Sequence, residues 1–296
     1  SDFIRYCKGS FPANRYALIF WDHGGGSISG YGYDQKFPST SMTLDKIDTA
    51  LKDGGCAFDF VGFDACLMAT LENALMLSDY ADYMIASEET EPGIGWYYTD
   101  WLTRLSANTS MSTVEIGRGI IDDFVEKCAA ATPNDKTTLS IVDLAELSGT
   151  APAVFRAFAS STGALVDSDS YRTVADARGT SREFGQTAKI DQIDLIHFAQ
   201  NLGTREAAAL ADVLKQSIKY NRTGRTISNA YGIAIYFPYA RLSGVGTMLS
   251  TYDKIGMDEA YSRCVKSFAN LETGGQIVSS GSASPLSALF GGGGGS

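Results

Sequence analysis

Residues 58–68 read FDFVGFDACLM, and this stretch decides the fold. Its first half, residues 58–63, is a short run of aromatic and β-branched residues, which is typical of a buried strand. The chain then passes Asp64 and reaches Cys66, three residues beyond the run. A second stretch, YALIFWDHGGG over residues 16–26, has the same construction, because the apolar run 16–21 is followed two residues later by His23. The two stretches predict two strands that each end at a reactive side chain.

Similar apolar runs alternate with longer amphipathic segments along the rest of the chain. The further strand candidates are residues 83–86, 139–142 and 231–237, and the helix candidates are residues 44–53, 66–78, 114–130, 193–202, 205–220 and 258–271. Strands and helices in this order predict an α/β fold with a mostly parallel central sheet covered by helices. In such a sheet the carboxyl ends of adjacent strands face one crevice, where ligands bind.

The composition is that of a folded chain with an acidic balance. Hydrophobic residues make up 44% of the 296 residues, which is enough for a core. The formal net charge of −10 leaves no basic stripe to replace phosphate counterions, so we expect no nucleic-acid partner. No stretch approaches the roughly 20 apolar residues that a membrane span needs, so we expect no membrane span. The five cysteines have no C-x-x-C spacing, and an odd count leaves at least one thiol free.

Two segments interrupt the alternation of strands and helices. Residues 24–43 are rich in Gly, Ser and Tyr and are longer than most strand-to-helix links, which favours a functional loop. From residue 273 the chain becomes rich in Gly and Ser. We therefore predict one domain over residues 1–272, with a helical C-terminal part from about residue 143, and a flexible tail over residues 273–296.

His23 and Cys66 form a candidate catalytic pair if their two strands are neighbours. An imidazole can accept the thiol proton or, as imidazolium, stabilise the thiolate, which is the attacking species. Cys66 also begins the predicted helix 66–78, whose N-terminal amides would favour a negative sulfur. The glycines after His23 allow backbone N–H groups to face a developing oxyanion.

Structural roles are the alternative for both residues. A lone buried cysteine often acts as a small hydrophobe, and a lone histidine at a strand end often serves the fold. HGGG is similar to the oxyanion loop of esterases, but the chain has no G-x-S-x-G nucleophile elbow. The other histidine, His197, lies among apolar residues of the predicted helix 193–202, where a structural role is favoured. Two distant histidines without ligand spacing do not predict a zinc site.

Taken together, four stretches resemble the clostripain-like cysteine peptidases, relatives of caspases, gingipains and legumain. They are RYALIFWDHGGG (15–26), FDFVGFDACLMATLENA (58–74), MIASEETEPGIGWYY (84–98) and YGIAIYFP (231–238), and the resemblance runs from about residue 3 to 271. The resemblance implies a caspase-like α/β/α sandwich. It also implies His23 as general acid and base, Cys66 as nucleophile, and the backbone N–H groups of Gly24 and Cys66 as the oxyanion hole.

The resemblance further implies an endopeptidase that cleaves protein or peptide substrates after Arg or Lys. Asp64 matches one acid of the family's cleft, whereas Ile94 stands where a second acid is expected, and the neighbouring loop supplies other carboxylates. The predicted substrate-binding residues are Asp64, Glu88, Glu89, Glu91, Ile94 and Trp96. The residues require no cofactor, and calcium is a candidate by resemblance alone because no D-x-D-x-D-G loop is present.

Activation by an internal cut and a bacterial location are also implied by the resemblance. Lys36 is the single basic residue of GYGYDQKFPSTSM (30–42), so we predict self-cleavage between Lys36 and Phe37. The family carries a segment before its FIRYC-like helix, so the protein's own N-terminal segment is a candidate partner that would add strands to the sheet. We expect a protein that is secreted or held at the cell surface. The alternative from another class is a non-catalytic caspase-like binding module or an inactive fragment.

Overall fold

The structure is a computed structural model that describes residues 1–38, 41–239 and 242–272. The strands are β1 (Ala17–Trp21), β2 (Phe58–Asp64), β3 (Ala81–Ala86), β4 (Thr138–Asp143), β5 (Glu183–Phe184), β6 (Gln192–Asp194), β7 (Ile218–Thr223) and β8 (Ala234–Tyr236). The helices are α1 (Asp2–Ser10), α2 (Gly26–Ser29), α3 (Leu44–Gly54), α4 (Leu71–Leu77), α5 (Tyr98–Ala107), α6 (Thr113–Ala131), α7 (Leu144–Val166), α8 (Tyr171–Thr180), α9 (Leu195–Leu202), α10 (Arg205–Ser217), α11 (Val245–Lys254) and α12 (Glu259–Glu272).

The main sheet has five strands in the order β1-β2-β3-β4-β7. β1, β2 and β3 pair in parallel, whereas β4 runs antiparallel to both β3 and β7. β7 therefore points in the same direction as the first three strands, and only β4 is reversed. The predicted α/β fold with a mostly parallel sheet is confirmed.

Side chains alternate between the two faces of this sheet, as a strand period of two residues requires. On β2, Val61 and Phe63 belong to one buried cluster, to which α3, α4 and α7 also contribute. Phe60 of the same strand belongs to a second cluster on the opposite face, which α6 covers with Ile116 and Phe124. Helices thus lie on both faces, which gives the three layers of an α/β/α sandwich.

A second, smaller sheet corrects the prediction for residues 231–237. This sheet consists of β5, β6 and β8, all antiparallel, so the predicted late strand is the short β8 and does not join the main sheet. The predicted helix 193–202 begins at Leu195, because residues 192–194 pair as β6. The small sheet touches the strand-end loops of the large one through a parallel bridge between Thr70 and Ala234.

The predicted helix 205–220 also ends earlier than expected. Helix α10 stops at Ser217, and the chain continues directly as β7. The residues of β7, IKYNRT, are all partly exposed and mostly polar, because the strand lies at the end of the sheet order. An edge strand of this kind lacks the apolar run by which the sequence identified the other strands.

None of the helices in the described ranges is long and apolar enough to span a membrane. The segment from residue 143 contains helices α7–α12 together with strands β5–β8. The predicted tail, residues 273–296, lies outside the described residues. The division into a domain over 1–272 and a tail therefore stays a prediction.

Candidate active site

The register of β1 and β2 brings His23 and Cys66 to one place. The two strands pair in parallel with Trp21 opposite Asp64, and His23 and Cys66 each lie two residues beyond this last pair. The loops that follow are in direct contact. A Cβ built on Gly24 would lie 2.0 Å from the carbonyl oxygen of Cys66 and 3.0 Å from its backbone nitrogen. The two strands are therefore neighbours, as the candidate pair of His23 and Cys66 requires.

The chain turns sharply just after Cys66, and this corrects the predicted helix 66–78. Leu67 has a φ of 68°, a left-handed conformation that non-glycine residues seldom adopt and that a right-handed helix cannot contain. Helix α4 begins only at Leu71, where Thr70 caps it by accepting a hydrogen bond from Asn73 N–H at 3.2 Å. Cys66 therefore does not lie at a helix N-terminus, and a helix dipole does not stabilise its thiolate.

Burial controls the protonation of the Cys66 thiol. The residue is 8% exposed and packs in an apolar cluster with Ala188 and Ile190. Its Sγ accepts a hydrogen bond from Glu91 N–H at 3.2 Å. Burial, with a contribution from the carboxyl groups of Glu91 and Glu89, raises the pKa of the thiol to about 11. The sulfur is therefore a neutral thiol at pH 7 and needs a base in order to attack.

The backbone of His23 is fixed by the loop that follows β1. Its N–H donates to Asp22 Oδ1 at 2.6 Å, and its carbonyl oxygen accepts from Gly32 N–H at 2.8 Å. The imidazole lies against Tyr33, with 6.0 Å between the ring centroids. These contacts hold the histidine at the strand end, on the same edge as Cys66.

The predicted oxyanion donors lie at the contact between the two loops. Gly24 forms an antiparallel bridge with Tyr31, in which Gly25 N–H donates to Gly30 O at 2.8 Å. This bridge does not use the N–H of Gly24. The backbone segments of Gly24 and Cys66 thus touch each other, and an oxyanion hole formed by their N–H groups stays a prediction.

Asp64 and Glu91 form an acid pair beside the thiol. Asp64 is 4% exposed and accepts hydrogen bonds from Trp96 N–H at 3.1 Å and from the Tyr98 hydroxyl at 3.0 Å. Glu91 Oε1 accepts from Trp96 Nε1 at 3.3 Å. The two carboxyl groups are close enough to affect each other's ionisation, and burial raises the pKa of both, that of Glu91 well above its ordinary range. Burial of two neighbouring carboxyl groups disfavours the ionised form of each, which is the physical cause of both raised pKa values.

Glu88 and Glu89 hold the loop after β3 against the small sheet. Glu88 Oε2 accepts from Gly232 N–H at 2.8 Å, and burial together with the nearby Asp194 raises the pKa of Glu88 well above its ordinary range. Glu89 Oε1 accepts from Gly185 N–H at 2.9 Å. The structure therefore gives both carboxyl groups partners outside the acid pair.

The loop residues named by the sequence are exposed. Ile94 is 45% exposed and Phe37 is 61% exposed. Lys36 is also exposed, and its N–H donates to Asp34 Oδ1 at 2.7 Å. The lysine thus lies on a surface turn, as a protease cutting this loop would require.

A buried network that the sequence did not reveal supports helix α2, just beyond His23. Glu72 is fully buried, and its Oε1 accepts from the Tyr252 hydroxyl at 2.6 Å and from the Tyr261 hydroxyl at 3.1 Å. Ser27 of α2 reaches the same oxygen at 3.4 Å. Burial raises the pKa of Glu72. These partners are far apart in the chain, so no local pattern could have indicated them.

The metal-ligating side chains of the described residues are not clustered. Within the described ranges, no group of three or more His, Cys, Asp and Glu side chains is arranged to hold a metal ion. His197, the second histidine, accepts a hydrogen bond from Arg182 N–H at 2.9 Å through Nδ1. A requirement for calcium stays a prediction from the resemblance.

The chain combines an α/β/α sandwich with a thiol and an imidazole at adjacent strand ends, an arrangement that is similar to that of the caspase-like cysteine peptidases. A model of the clostripain family matches residues 1–244, and the chain belongs to this family. Clostripain from Hathewaya histolytica is 29% identical over 127 residues, which are 36% of this chain and 23% of that protein. The match therefore spans less than a quarter of the length of that relative.

Solved structures share the fold. A secreted C11 cysteine protease from Bacteroides thetaiotaomicron, in complex with an irreversible peptide inhibitor, superposes with a TM-score of 0.63 at 20% identity, covering 89% of this chain and 77% of that one. An inactive zymogen C11 protease from Parabacteroides distasonis gives 0.64 at 19% identity, covering 86% and 74%. A clostripain from Bacteroides thetaiotaomicron, in complex with the peptide inhibitor BTN-VLTK-AOMK, gives 0.56 at 17% identity, covering 79% and 99%.

Proposed function

We propose that this chain is an endopeptidase that cleaves after Arg or Lys and uses Cys66 and His23 as a catalytic dyad. The observation that carries the proposal is the β1–β2 register, in which both residues lie two positions beyond the pair Trp21–Asp64. Neighbouring strand ends deliver a nucleophile and a base to one edge of the sheet.

The chemistry follows from the neutral thiol. His23 takes the proton of Cys66 as Sγ forms a bond to the carbonyl carbon of the substrate, and the N–H groups of Gly24 and Cys66 receive the oxyanion. The protonated imidazole then gives its proton to the leaving amine as the C–N bond breaks. Water hydrolyses the resulting thioester, which releases the acid product and restores the thiol.

The acid pair supports the preference for a basic side chain. A Lys or Arg of the substrate would form charge-assisted hydrogen bonds with the buried carboxylate of Asp64. Glu91 supplies the second acid that the sequence lacks at Ile94. The clostripain structure with the inhibitor VLTK, a peptide that ends in lysine, is in keeping with such a site.

Changing Asp64 to asparagine tests this preference. Asp64→Asn keeps an oxygen for Trp96 N–H, places an NH₂ group beside the Tyr98 hydroxyl, whose oxygen can accept from it, and removes the negative charge. We expect kcat/KM to fall about 100-fold for peptides with Arg or Lys before the scissile bond, and much less for the matched Gln or Met peptides. Steady-state kinetics with a matched peptide series measure the difference.

Asp59→Asn is the matched control, because Asp59 lies on the same strand but bonds to Arg15 at 2.7 Å. The control should leave the ratio of basic to neutral cleavage unchanged. An equal loss on basic and neutral peptides in Asp64→Asn would show that Asp64 supports the site without selecting the substrate.

We also propose that the chain cuts itself between Lys36 and Phe37. Both residues are exposed, on a loop whose two ends are tied by the pairing of Tyr31 with Met42. Tyr31 N–H donates to Met42 O at 2.9 Å, so the two pieces would stay paired at these residues after a cut, while the new ends at Lys36 and Phe37 would be released. A cut here would free the part of the loop next to His23.

An intact-mass time course tests self-cleavage. Wild type should divide into a light piece ending at Lys36 and a heavy piece beginning FPSTSM, whereas Cys66→Ala and Lys36→Ala should stay whole at this bond. Lys46→Ala is the control, since Lys46 is also exposed but lies on α3, and this variant should divide like wild type. Cleavage at Lys36 in the pure Cys66→Ala protein would contradict the proposal.

The remaining predictions concern location and partners. A secreted C11 protease among the structural neighbours supports a protein that acts outside the cell or at its surface. The proposed substrates are proteins and peptides that contain Arg or Lys. β1 ends the sheet order in the described part of the chain, so an added strand from the protein's own N-terminal segment stays a prediction, as does the lack of a nucleic-acid partner.

A further inference from the structure

Gln192 contacts all three loops that surround Cys66. It is fully buried on β6, and its Nε2 donates to Leu67 O at 3.0 Å and to Glu88 O at 3.3 Å. Two carbonyl acceptors can be satisfied only by the NH₂ end of the amide, which fixes the orientation of the side chain. Its Oε1 lies against Gly26, where a Cβ would come within 2.2 Å of it. One amide therefore joins the loops after β1, β2 and β3.

The hydrogen bond from Gln192 to Leu67 O constrains the backbone of the residue that follows Cys66. Leu67 has a φ of 68°, and such a conformation persists only when the surroundings hold it. Its N–H donates to Glu89 O at 3.2 Å, and its O accepts from Gln192. Both backbone polar groups of this turn residue are thus bound, one of them by a side chain from the small sheet.

The contacts of Gln192 are with the backbone of these loops. Its Oε1 is buried without a hydrogen-bond partner, and an unpaired buried oxygen lowers the stability of the folded state. An apolar side chain of the same length would avoid that cost, but it would leave Leu67 O and Glu88 O without this donor. The amide is therefore better explained by the need to hold a particular turn.

We propose that Gln192 is a positioning residue, which fixes the turn at Leu67 so that the sulfur of Cys66 stays directed at the substrate carbonyl. The inference rests on the proposed role of Cys66 as nucleophile. Release of the turn would displace the sulfur, and a displacement of about 1 Å can cost about 100-fold in rate. Substrate binding through Asp64 would be retained, so the loss should fall on kcat and leave KM unchanged.

Two variants test the proposal in the full chain. Gln192→Met keeps the length and loses the donor, whereas Gln192→Asn keeps the amide but is one methylene too short to hold both carbonyl groups. With a peptide carrying Arg before the scissile bond, we expect kcat per folded molecule to fall about 10- to 100-fold in both, with KM unchanged. Thermal unfolding measured on the same samples gives the folded fraction.

Ser140→Ala is the matched control, because Ser140 Oγ also donates from a buried side chain to a distant carbonyl, Gly232 O, at 2.6 Å. The control should lose stability but keep kcat. Unchanged kcat per folded molecule in the Gln192 variants would overturn the proposal and leave Gln192 a structural residue. If Gln192→Met does not fold, the kcat of Gln192→Asn tests the proposal. Failure of the nucleophile assignment would be seen separately, as peptidase activity in Cys66→Ala measured beside them.

Discussion

Cys66→Ala is expected to lower kcat by about 10⁴-fold or more, because the atom that bonds to the substrate is lost. The fold should survive. The sulfur is small and 8% exposed, and its loss leaves one N–H, that of Glu91, without its acceptor. An unpaired buried N–H costs about 1–3 kcal/mol, so activity is compared at a temperature where both proteins are folded. Hydrolysis of an Arg peptide and circular dichroism on the same samples measure the two effects.

Cys128→Ala and Cys264→Ala are the controls for this prediction. Both cysteines are free and almost completely buried, and burial raises the pKa of each thiol to about 12. These variants should lose stability and keep kcat. Peptidase activity in pure Cys66→Ala would end the nucleophile assignment. A wild-type protein without peptidase activity would instead favour the non-catalytic binding module.

The two strand ends could be predicted because their pattern is local. Each of the first two strands is an apolar run with a reactive residue just beyond it, and β-strand pairing then brings equal offsets together. The sequence does not predict β7, because a polar edge strand contains no apolar run. The sequence predicts the start of α4 too early, because CLMATLENALML has the pattern of one amphipathic helix. Leucine seldom adopts a left-handed backbone conformation, so the residue type at position 67 does not indicate the turn.

The contacts that Glu91 and Gln192 make could not be predicted from spacing. The resemblance implies a second acid at position 94, where this chain has Ile94, and the sequence also names Glu91 as a substrate-binding residue. The structure adds that Glu91 N–H donates to Cys66 Sγ and that the Glu91 carboxyl group accepts from the indole N–H of Trp96. Gln192 lies 125 residues from the turn that it holds. Both contacts depend on tertiary packing, which a single sequence does not encode in any short window.

Gly24→Ala is expected to disrupt the site by steric conflict. A Cβ at this position would lie 2.0 Å from the carbonyl oxygen of Cys66, and the adjacent strands β1 and β2 leave the two loops little freedom to part. The φ of Gly24 is not positive, so the effect would come from lack of space and not from backbone strain. We expect kcat/KM to fall about 100-fold or more, because the oxyanion donors at Gly24 and Cys66 would separate. The free energy of unfolding should fall by about 1–3 kcal/mol, as for other overpacked sites.

Gly93→Ala is the control for Gly24→Ala. It shows whether any glycine-to-alanine change near the cleft lowers activity, or only one that lacks space for the methyl group. Gly93 lies in the same loop as Glu91, its φ is not positive, and a Cβ there would meet nothing within 4 Å. This variant should keep both kcat/KM and stability close to those of wild type. Urea unfolding and peptide hydrolysis distinguish the two glycines. Wild-type kcat/KM in Gly24→Ala would mean that the loops after β1 and β2 can move apart without loss of chemistry, and the oxyanion hole could not then consist of the N–H groups of Gly24 and Cys66.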